Sequence, residues 1–183
     1  INQNSTEAET VYQTILANTS NPKIVAEAEL MKDKLDAAKS LSVPDFSFDN
    51  INDKEFKLSD YKDHLIYIDL WATWCRPCFM EFPHMKKLAE EYQDENIVFL
   101  GISIDNERNK AKWKQTLKEI DFNFEQVFAG ENKVVEDPFL RQLDIRYIPR
   151  FVLIGKNGQM ISAEAPTPSS PAIRKLINEF LKS

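Results

Sequence analysis

The feature that most restricts the fold of this chain is a pair of cysteines placed between a buried strand and a helix. Cys75 and Cys78 are the two cysteines of the 183-residue chain, and two residues separate them. Residues 65–71, Leu-Ile-Tyr-Ile-Asp-Leu-Trp, are apolar except at Asp69, which is typical of a central strand that helices cover on both faces. The run Arg76–Tyr92 then predicts a helix that opens within the cysteine pair.

The segments that follow predict further strands and helices around this unit. A second apolar run, residues 96–104, comes after the helix, and the order strand, helix, strand implies a parallel pair joined by a crossover. Lys156-Asn157-Gly158 favours a hairpin turn, because Asn-Gly tolerates the positive φ that such turns need. The other predicted elements are strands at 45–48, 55–58, 126–128, 150–154 and 159–163, and helices at about 107–120, 137–144 and 171–181.

Length and element order predict one α/β domain with an N-terminal addition. A chain of 183 residues buries roughly 70% of the surface that its unfolded form exposes, which suits a single compact domain. Residues 1–40 predict two helices, and Pro22 opens the second. We therefore expect a helical extension over residues 1–40 and an α/β domain over residues 41–183.

Charge and hydropathy exclude some classes of partner. The formal net charge is −6 and the pI is about 5.1, so the chain would repel a phosphate backbone, and it has no Lys/Arg stripe. Nucleic acid is therefore not an expected partner. No apolar run approaches the roughly 20 residues that cross a bilayer. Because the chain begins at Ile1 and not at a methionine, we expect a processed or truncated form, and a signal peptide or membrane anchor upstream of it stays open.

The spacing of the cysteines predicts a redox-active pair. Cysteines at i and i+3 at the start of a helix can close a disulfide or present two thiols with little backbone motion. The helix N-terminus favours the thiolate of Cys75, and Arg76 adds a cation beside it. We therefore expect Cys75 to attack a partner's disulfide and the more buried Cys78 to resolve the mixed disulfide.

A structural zinc site is the alternative for this pair. Such sites use four nitrogen or sulfur ligands, but the chain has no second Cys-x-x-Cys and only two histidines, His64 and His84. The sequence therefore predicts neither a metal nor a cofactor, and the thiols themselves carry the chemistry.

The segment around the cysteines resembles a known family. Residues 71–78, Trp-Ala-Thr-Trp-Cys-Arg-Pro-Cys, are similar to the thioredoxin active-site segment, and Phe-Met-Glu-Phe-Pro at 79–83 is similar to the TlpA/ResA-like branch of thiol–disulfide oxidoreductases. The likeness begins at Val43-Pro44-Asp45-Phe46 and leaves the first forty residues outside. It implies an α/β thioredoxin-like fold, a central mixed sheet flanked by helices, with an inserted helix–strand segment. It also implies a periplasmic or outward-facing location in the cell envelope.

Two carboxylates are candidates for proton transfer. Asp69 lies in an otherwise apolar strand, and an unpaired buried charge is costly, so its neighbours argue against an ordinary exposed aspartate. The superfamily uses an acid at this place to move the proton of the second cysteine. Glu81 is about one helical turn beyond Cys78, and the resemblance implies that it tunes the pair; the alternative is a surface glutamate.

Four further residues are candidates for binding the substrate. Trp74 is expected to form an exposed apolar platform next to Arg76. The thioredoxin-like fold carries a cis-proline before the strand that matches residues 150–154, and Pro149 stands there. The resemblance then implies that the backbone of Ile148 bonds to an extended substrate segment.

The leading function is therefore a thiol–disulfide oxidoreductase. The resemblance implies reduction of envelope proteins, with apocytochrome c among the candidates, and an upstream thiol electron donor. The direction of electron flow stays open at this point. A thiol peroxidase is a second hypothesis, although Thr73 lies two residues before Cys75 where peroxidases of this fold have three. A redox-inert or copper-binding adaptor is the third, and copper carriers of this fold use a wider cysteine spacing with a distant histidine.

Overall fold

In the computed structural model, residues 3–19, 21–39 and 43–182 are described. Two helices come first, α1 (Gln3–Asn18) and α2 (Pro22–Lys39), and they pack on each other. Asn21 accepts a hydrogen bond from the backbone of Lys23 through its side chain, and Pro22 occupies the first position of α2. The division of the chain at residue 40 lies outside the described residues and stays a prediction. Across the described ranges, no helix combines the length and apolarity that spanning a membrane requires.

A mixed sheet of seven strands forms the centre of the molecule. Its strands are β1 (Ser47–Asn50), β2 (Glu55–Lys57), β3 (Leu65–Trp71), β4 (Ile97–Ser103), β5 (Glu125–Phe128), β6 (Arg150–Ile154) and β7 (Met160–Ser162), in the spatial order β2-β1-β5-β4-β3-β6-β7. The pairs β3–β4 and β4–β5 are parallel, and the other pairs are antiparallel. The predicted crossover and its parallel pair are therefore present, and the thioredoxin-like mixed sheet is confirmed.

The remaining helices connect and cover this sheet. They are α3 (Arg76–Glu91), α4 (Lys110–Ile120), α5 (Lys133–Glu136), α6 (Pro138–Gln142) and α7 (Pro171–Leu181). The inserted segment between β4 and β5 contains α4, as the sequence predicts. At its end, Asp121 adopts a left-handed conformation and stops the helix.

Side-chain and backbone details move some element boundaries from their predicted places. The predicted helix 137–144 is shorter, because the carboxylate of Asp137 caps the backbone N–H groups of Phe139 and Leu140 and Asp144 has a positive φ. The first strand begins at Ser47, two residues later than predicted. Asp45 instead accepts a hydrogen bond from the backbone of Ser59.

Strand β3 lies at the centre of the core and is buried on both faces, as predicted. Ile66, Ile68 and Leu70 point to the cluster that includes α6. Leu65 and Tyr67 point to the opposite cluster, which α3 and α7 cover. Side chains alternate along a strand, so Asp69 belongs to this second face, beneath the helix that carries the cysteines.

Candidate active site

The cysteine pair occupies the junction of β3 and α3. The backbone N–H of Cys75 donates to the carbonyl of Ala72 at 2.9 Å, which closes a tight turn after the strand. Cys75 is the N-cap of α3, and Pro77 lies in the first turn, where its missing N–H costs no helical hydrogen bond. The two sulfurs form a disulfide, and their Cα atoms are 5.4 Å apart. The cysteines therefore lie directly after the strand, at the start of the helix.

The helix N-terminus presents hydrogen-bond donors to the sulfur of Cys75. Its Sγ accepts from the backbone N–H of Cys78 at 3.3 Å. The first turn of α3 contains no acidic residue, and Arg76 is exposed beside the pair. A thiolate at Cys75 would accordingly be stabilised by the unpaired N–H groups of the helix and by a cation.

Asp69 is a fully buried carboxyl group near the centre of the sheet. It is 0% exposed, and among the described residues neither oxygen has a hydrogen-bond partner. Burial raises the pKa of Asp69 well above its usual range, and the charge of Glu81 raises it further. Burial is also the main cause that raises the pKa of Tyr67, with smaller contributions from the charges of Asp69 and Glu81. Tyr67 and Asp69 on this face of the sheet thus interact electrostatically with each other and with Glu81 of α3.

Glu81 is half-buried and is held by the loop before α7. Its carboxylate accepts from the backbone N–H of Ser169 at 3.0 Å and from the Ser169 hydroxyl at 2.8 Å. Glu81 is thus fixed to this loop by its carboxylate, and its charge acts on Asp69. The hydrogen bonds between Glu81 and Ser169 could not be predicted from the sequence, because 88 residues separate the two side chains.

The segment before β6 borders the cysteines. The peptide bond between Ile148 and Pro149 is cis. Ile148 packs against the cluster that contains Cys75 and Cys78, so this segment adjoins the redox pair. Tyr147 is exposed, and its ring lies 5.6 Å from the guanidinium of Arg150.

Large apolar side chains are exposed at the start of α3 and in the turn before it. Trp74 is 61% exposed and Met80 is 71% exposed, both within a few residues of the cysteines. Trp71 and Phe82 are buried and pack edge to face, so Trp71 before the turn is buried whereas Trp74 within it is exposed. Exposed large apolar side chains near a reactive group are typical of a surface that binds another protein.

A second buried carboxylate near the cysteines was missed by the sequence reasoning. Asp105 follows β4 and accepts hydrogen bonds from both the backbone and the hydroxyl of Thr73. The carboxyl ends of parallel neighbours lie at one edge of a sheet, so a polar residue just after residues 96–104 was the signal that could have revealed it.

Fold and site together define a thiol–disulfide exchange protein of thioredoxin-like architecture. Residues 40–162 match the AhpC/TSA family, and the chain belongs to that family. The similarity to ResA-type proteins predicted from the active-site segment is confirmed by relatives that carry the name thiol-disulfide oxidoreductase ResA. One, from Geobacillus thermodenitrificans, is 26% identical over 73% of this chain and 72% of its own length. Another, from Bacillus subtilis, is 24% identical over 74% and 72%.

Solved structures lead to the same class. A crystal structure from Bacteroides vulgatus, assigned as a thiol-disulfide oxidoreductase, is 35% identical with a TM-score of 0.66 and covers 78% of this chain and 98% of its own. A solution structure with the same assignment from that organism is 36% identical and has a TM-score of 0.68. The match covers 80% of this chain and 93% of the chain in that structure. The chain is therefore a thiol–disulfide oxidoreductase.

Proposed function

We propose that the protein reduces disulfide bonds of cell-envelope proteins through Cys75 and Cys78. The observation that carries this proposal is the position of Cys75 as N-cap of α3, with its sulfur accepting from the backbone of Cys78. That position favours a thiolate at the first cysteine and places the second one turn inside the helix, where it is fully buried.

The reaction divides into two exchange steps. The Cys75 thiolate attacks one sulfur of the substrate disulfide, so a mixed disulfide forms and the other substrate sulfur leaves as a thiolate. Cys78 then loses its proton and attacks the Cys75 sulfur, which releases the second substrate thiolate. Two electrons pass to the substrate, and the protein is left with the Cys75–Cys78 disulfide that the structure contains. An upstream dithiol donor would reverse these steps on the oxidised protein.

Asp69 and Glu81 are proposed to accept the proton that Cys78 loses. The raised pKa of Asp69, caused first by burial and then by the charge of Glu81, makes its carboxylate a stronger base than that of an exposed aspartate, which suits a proton acceptor. Glu81 is half-buried and one turn beyond Cys78 on α3, so it connects this buried region with solvent.

The exposed side chain of Trp74, together with Arg76, Ile148 and Pro149, is proposed to bind the substrate protein. Ile148 packs against the cysteine cluster, and Trp74 and Arg76 are exposed beside it. An extended substrate segment could thus lie across the pair and bond to the backbone of Ile148.

Trp74→Ala is expected to weaken protein binding and to leave the chemistry intact. Because buried aromatic anchors carry much of an interface's energy, KM for reduction of insulin disulfides should rise about tenfold. Reduction of a small aromatic disulfide, which needs no such platform, is the internal control and should change less than about twofold. An equal loss on both substrates would mean that Trp74 acts on the cysteines and not on the partner.

The location in the envelope and a role in cytochrome c maturation rest on the resemblance to the TlpA/ResA-like branch. An outward-facing compartment is oxidising, so a reductant there needs a donor and a low potential. The chemistry of the site is compatible with this role, because both steps use only thiols and a proton acceptor.

The hydroxyl of Thr73 favours disulfide exchange over peroxide reduction. Its single proton is donated to Asp105 at 2.8 Å, so it is not offered to Cys75 or to a peroxide bound there. We therefore expect slow peroxide turnover compared with reduction of insulin, in assays driven by the same dithiol donor.

The redox potential is the experiment that tests the proposed direction. The protein is equilibrated across a series of dithiothreitol ratios and followed by its tryptophan fluorescence, to which Trp74 next to the disulfide contributes. We expect a potential near or below about −270 mV, the value for thioredoxin. A value close to about −120 mV would identify an oxidant and contradict the reductase proposal.

A further inference from the structure

The carboxylate of Asp105 is fully buried and fastens the turn that carries Cys75. It is 0% exposed. Its Oδ2 accepts from the backbone N–H of Thr73 at 2.8 Å and from the hydroxyl of Ser103 at 2.9 Å, and its Oδ1 accepts from the hydroxyl of Thr73 at 2.8 Å. Thr73 is therefore held twice, through the main chain and through the side chain, by one rigid group.

Asp105 is itself anchored to the sheet. Its backbone N–H donates to the Ser103 hydroxyl at 3.2 Å, and its carbonyl accepts from Glu131 at 2.9 Å. The neighbouring Ile104 N–H donates to the carbonyl of Trp71 at 2.9 Å. The end of β4 is thus tied both to the segment after β5 and to the end of β3, so it provides a fixed point beside the turn.

The turn held in this way sets the position of the attacking sulfur. Thr73 lies inside the turn that the Cys75 N–H closes on the Ala72 carbonyl. The Cys75 sulfur accepts from the Cys78 N–H at 3.3 Å, so it lies against the first turn of the helix. A displacement of the turn would lengthen this contact and weaken the stabilisation that the helix N-terminus gives to the sulfur as a thiolate.

We propose that Asp105, acting through Thr73, is a positioning residue for thiol–disulfide exchange that holds Cys75 at the N-terminus of α3. The group touches no reacting atom. Its function is to keep the sulfur where the helix stabilises its thiolate, so its removal changes the reactivity of Cys75 and not only the stability of the fold. The inference rests on the proposed role of Cys75 as the nucleophile.

Thr73→Val tests this proposal, because valine has the shape of threonine without the hydroxyl. In the reduced protein, alkylation of Cys75 by iodoacetamide is followed over pH by mass spectrometry. We expect the pKa of the Cys75 thiol to rise by about half a unit and the rate at pH 7 to fall several-fold. Thr73→Ser keeps the hydroxyl and should restore both values.

Ser103→Ala is the matched control. It also removes one buried hydroxyl, which donates to the Asp105 carboxylate and accepts from the Asp105 backbone N–H, but Thr73 keeps both of its hydrogen bonds to the carboxylate. We expect a comparable loss of stability in urea unfolding with little change in the thiol pKa. The same pKa and rate in Thr73→Val as in the wild type would overturn the proposal and leave the cluster a purely structural one.

Two further outcomes remain decisive. Should Thr73→Val fail to fold, Thr73→Ala removes the same hydroxyl with less bulk and is measured in its place with the same expected shift. Faster labelling of Cys78 than of Cys75 in the wild-type protein would instead contradict the role of Cys75 itself, whereas unchanged reactivity in the variants contradicts the role of Asp105.

Discussion

Cys75→Ser should abolish reduction of insulin disulfides, with a loss of at least about 10³-fold in turnover. The reason is chemical, since a serine hydroxyl at the same N-cap is far less acidic and far less nucleophilic than a thiol. The variant should still fold, because serine is a favoured N-cap residue and can accept from the same backbone N–H. Turnover is measured with a dithiol donor, and circular dichroism reports the fold.

Cys78→Ser is the matched variant and should fail in a different way. Cys75 can still attack, but the mixed disulfide cannot be resolved, so the protein should accumulate as a covalent adduct with its substrate. Non-reducing electrophoresis and mass spectrometry identify the adduct and the cysteine that carries it. Equal trapping by the two variants would contradict the separate roles assigned to Cys75 and Cys78.

The central unit of the fold could be predicted because its signals are local. An apolar run with one acid, a cysteine pair and a helix start follow one another within residues 65–92, and each restricts the next. The burial of Asp69 followed from its neighbours along β3. The exposure of Trp74 was likewise expected from its place beside the cysteines, and the structure shows it.

The contacts that complete the site could not be predicted because they join segments far apart in the chain. Glu81 meets Ser169 across 88 residues, and Thr73 meets Asp105 across 32. Such pairs depend on how loops return to the sheet, which no periodicity encodes. The shortening of the predicted helix 137–144 has a local cause instead, because Asp137 caps its start and Asp144 adopts a positive φ after its end.

Asp69 presents an energetic conflict within this fold. Its carboxyl group is fully buried and, within the described part of the chain, neither oxygen has a hydrogen-bond partner. Such a group favours the protonated form, and burial followed by the Glu81 charge raises its pKa in the folded state. The folded protein therefore binds a proton that the unfolded chain has released, so the stability from this group is present at acidic pH and falls as pH rises towards the folded pKa.

Asp69→Asn should therefore make the oxidised protein more stable at alkaline pH. The amide carries no charge, so the cost of burying an ion disappears, and the free energy of unfolding at pH 8 should increase by about 2–4 kcal/mol. At pH 4 the aspartate is protonated in the fold, and the two proteins should differ little. Urea unfolding measures the free energy of unfolding of both proteins at each pH. Subtracting the wild-type value from that of the variant removes the contributions of the other carboxylates, which the two proteins share.

Glu81→Gln is the control for the charge that acts on Asp69. Glu81 is half-buried and hydrogen-bonded to Ser169, so removing its charge should by itself increase the free energy of unfolding only slightly. It removes the negative charge that raises the folded-state pKa of Asp69, so the fall in stability caused by Asp69 should end at a lower pH and be smaller in total. An unchanged pH dependence in this variant would show that the two carboxylates do not interact.

The same Asp69→Asn variant should also be a slower enzyme. Greater stability together with slower exchange would show that Asp69 has a catalytic function and is not merely an unfavourable buried charge. Without the carboxylate, Cys78 loses its proposed proton acceptor, so the resolving step should slow by about 10²-fold near pH 7. Quenched-flow trapping of the mixed disulfide measures that step directly. A variant that is more stable and slower shows that the buried acid is kept for proton transfer at a cost to the fold. Greater stability with an unchanged resolving rate would refute that role and leave Cys78 to release its proton by another route.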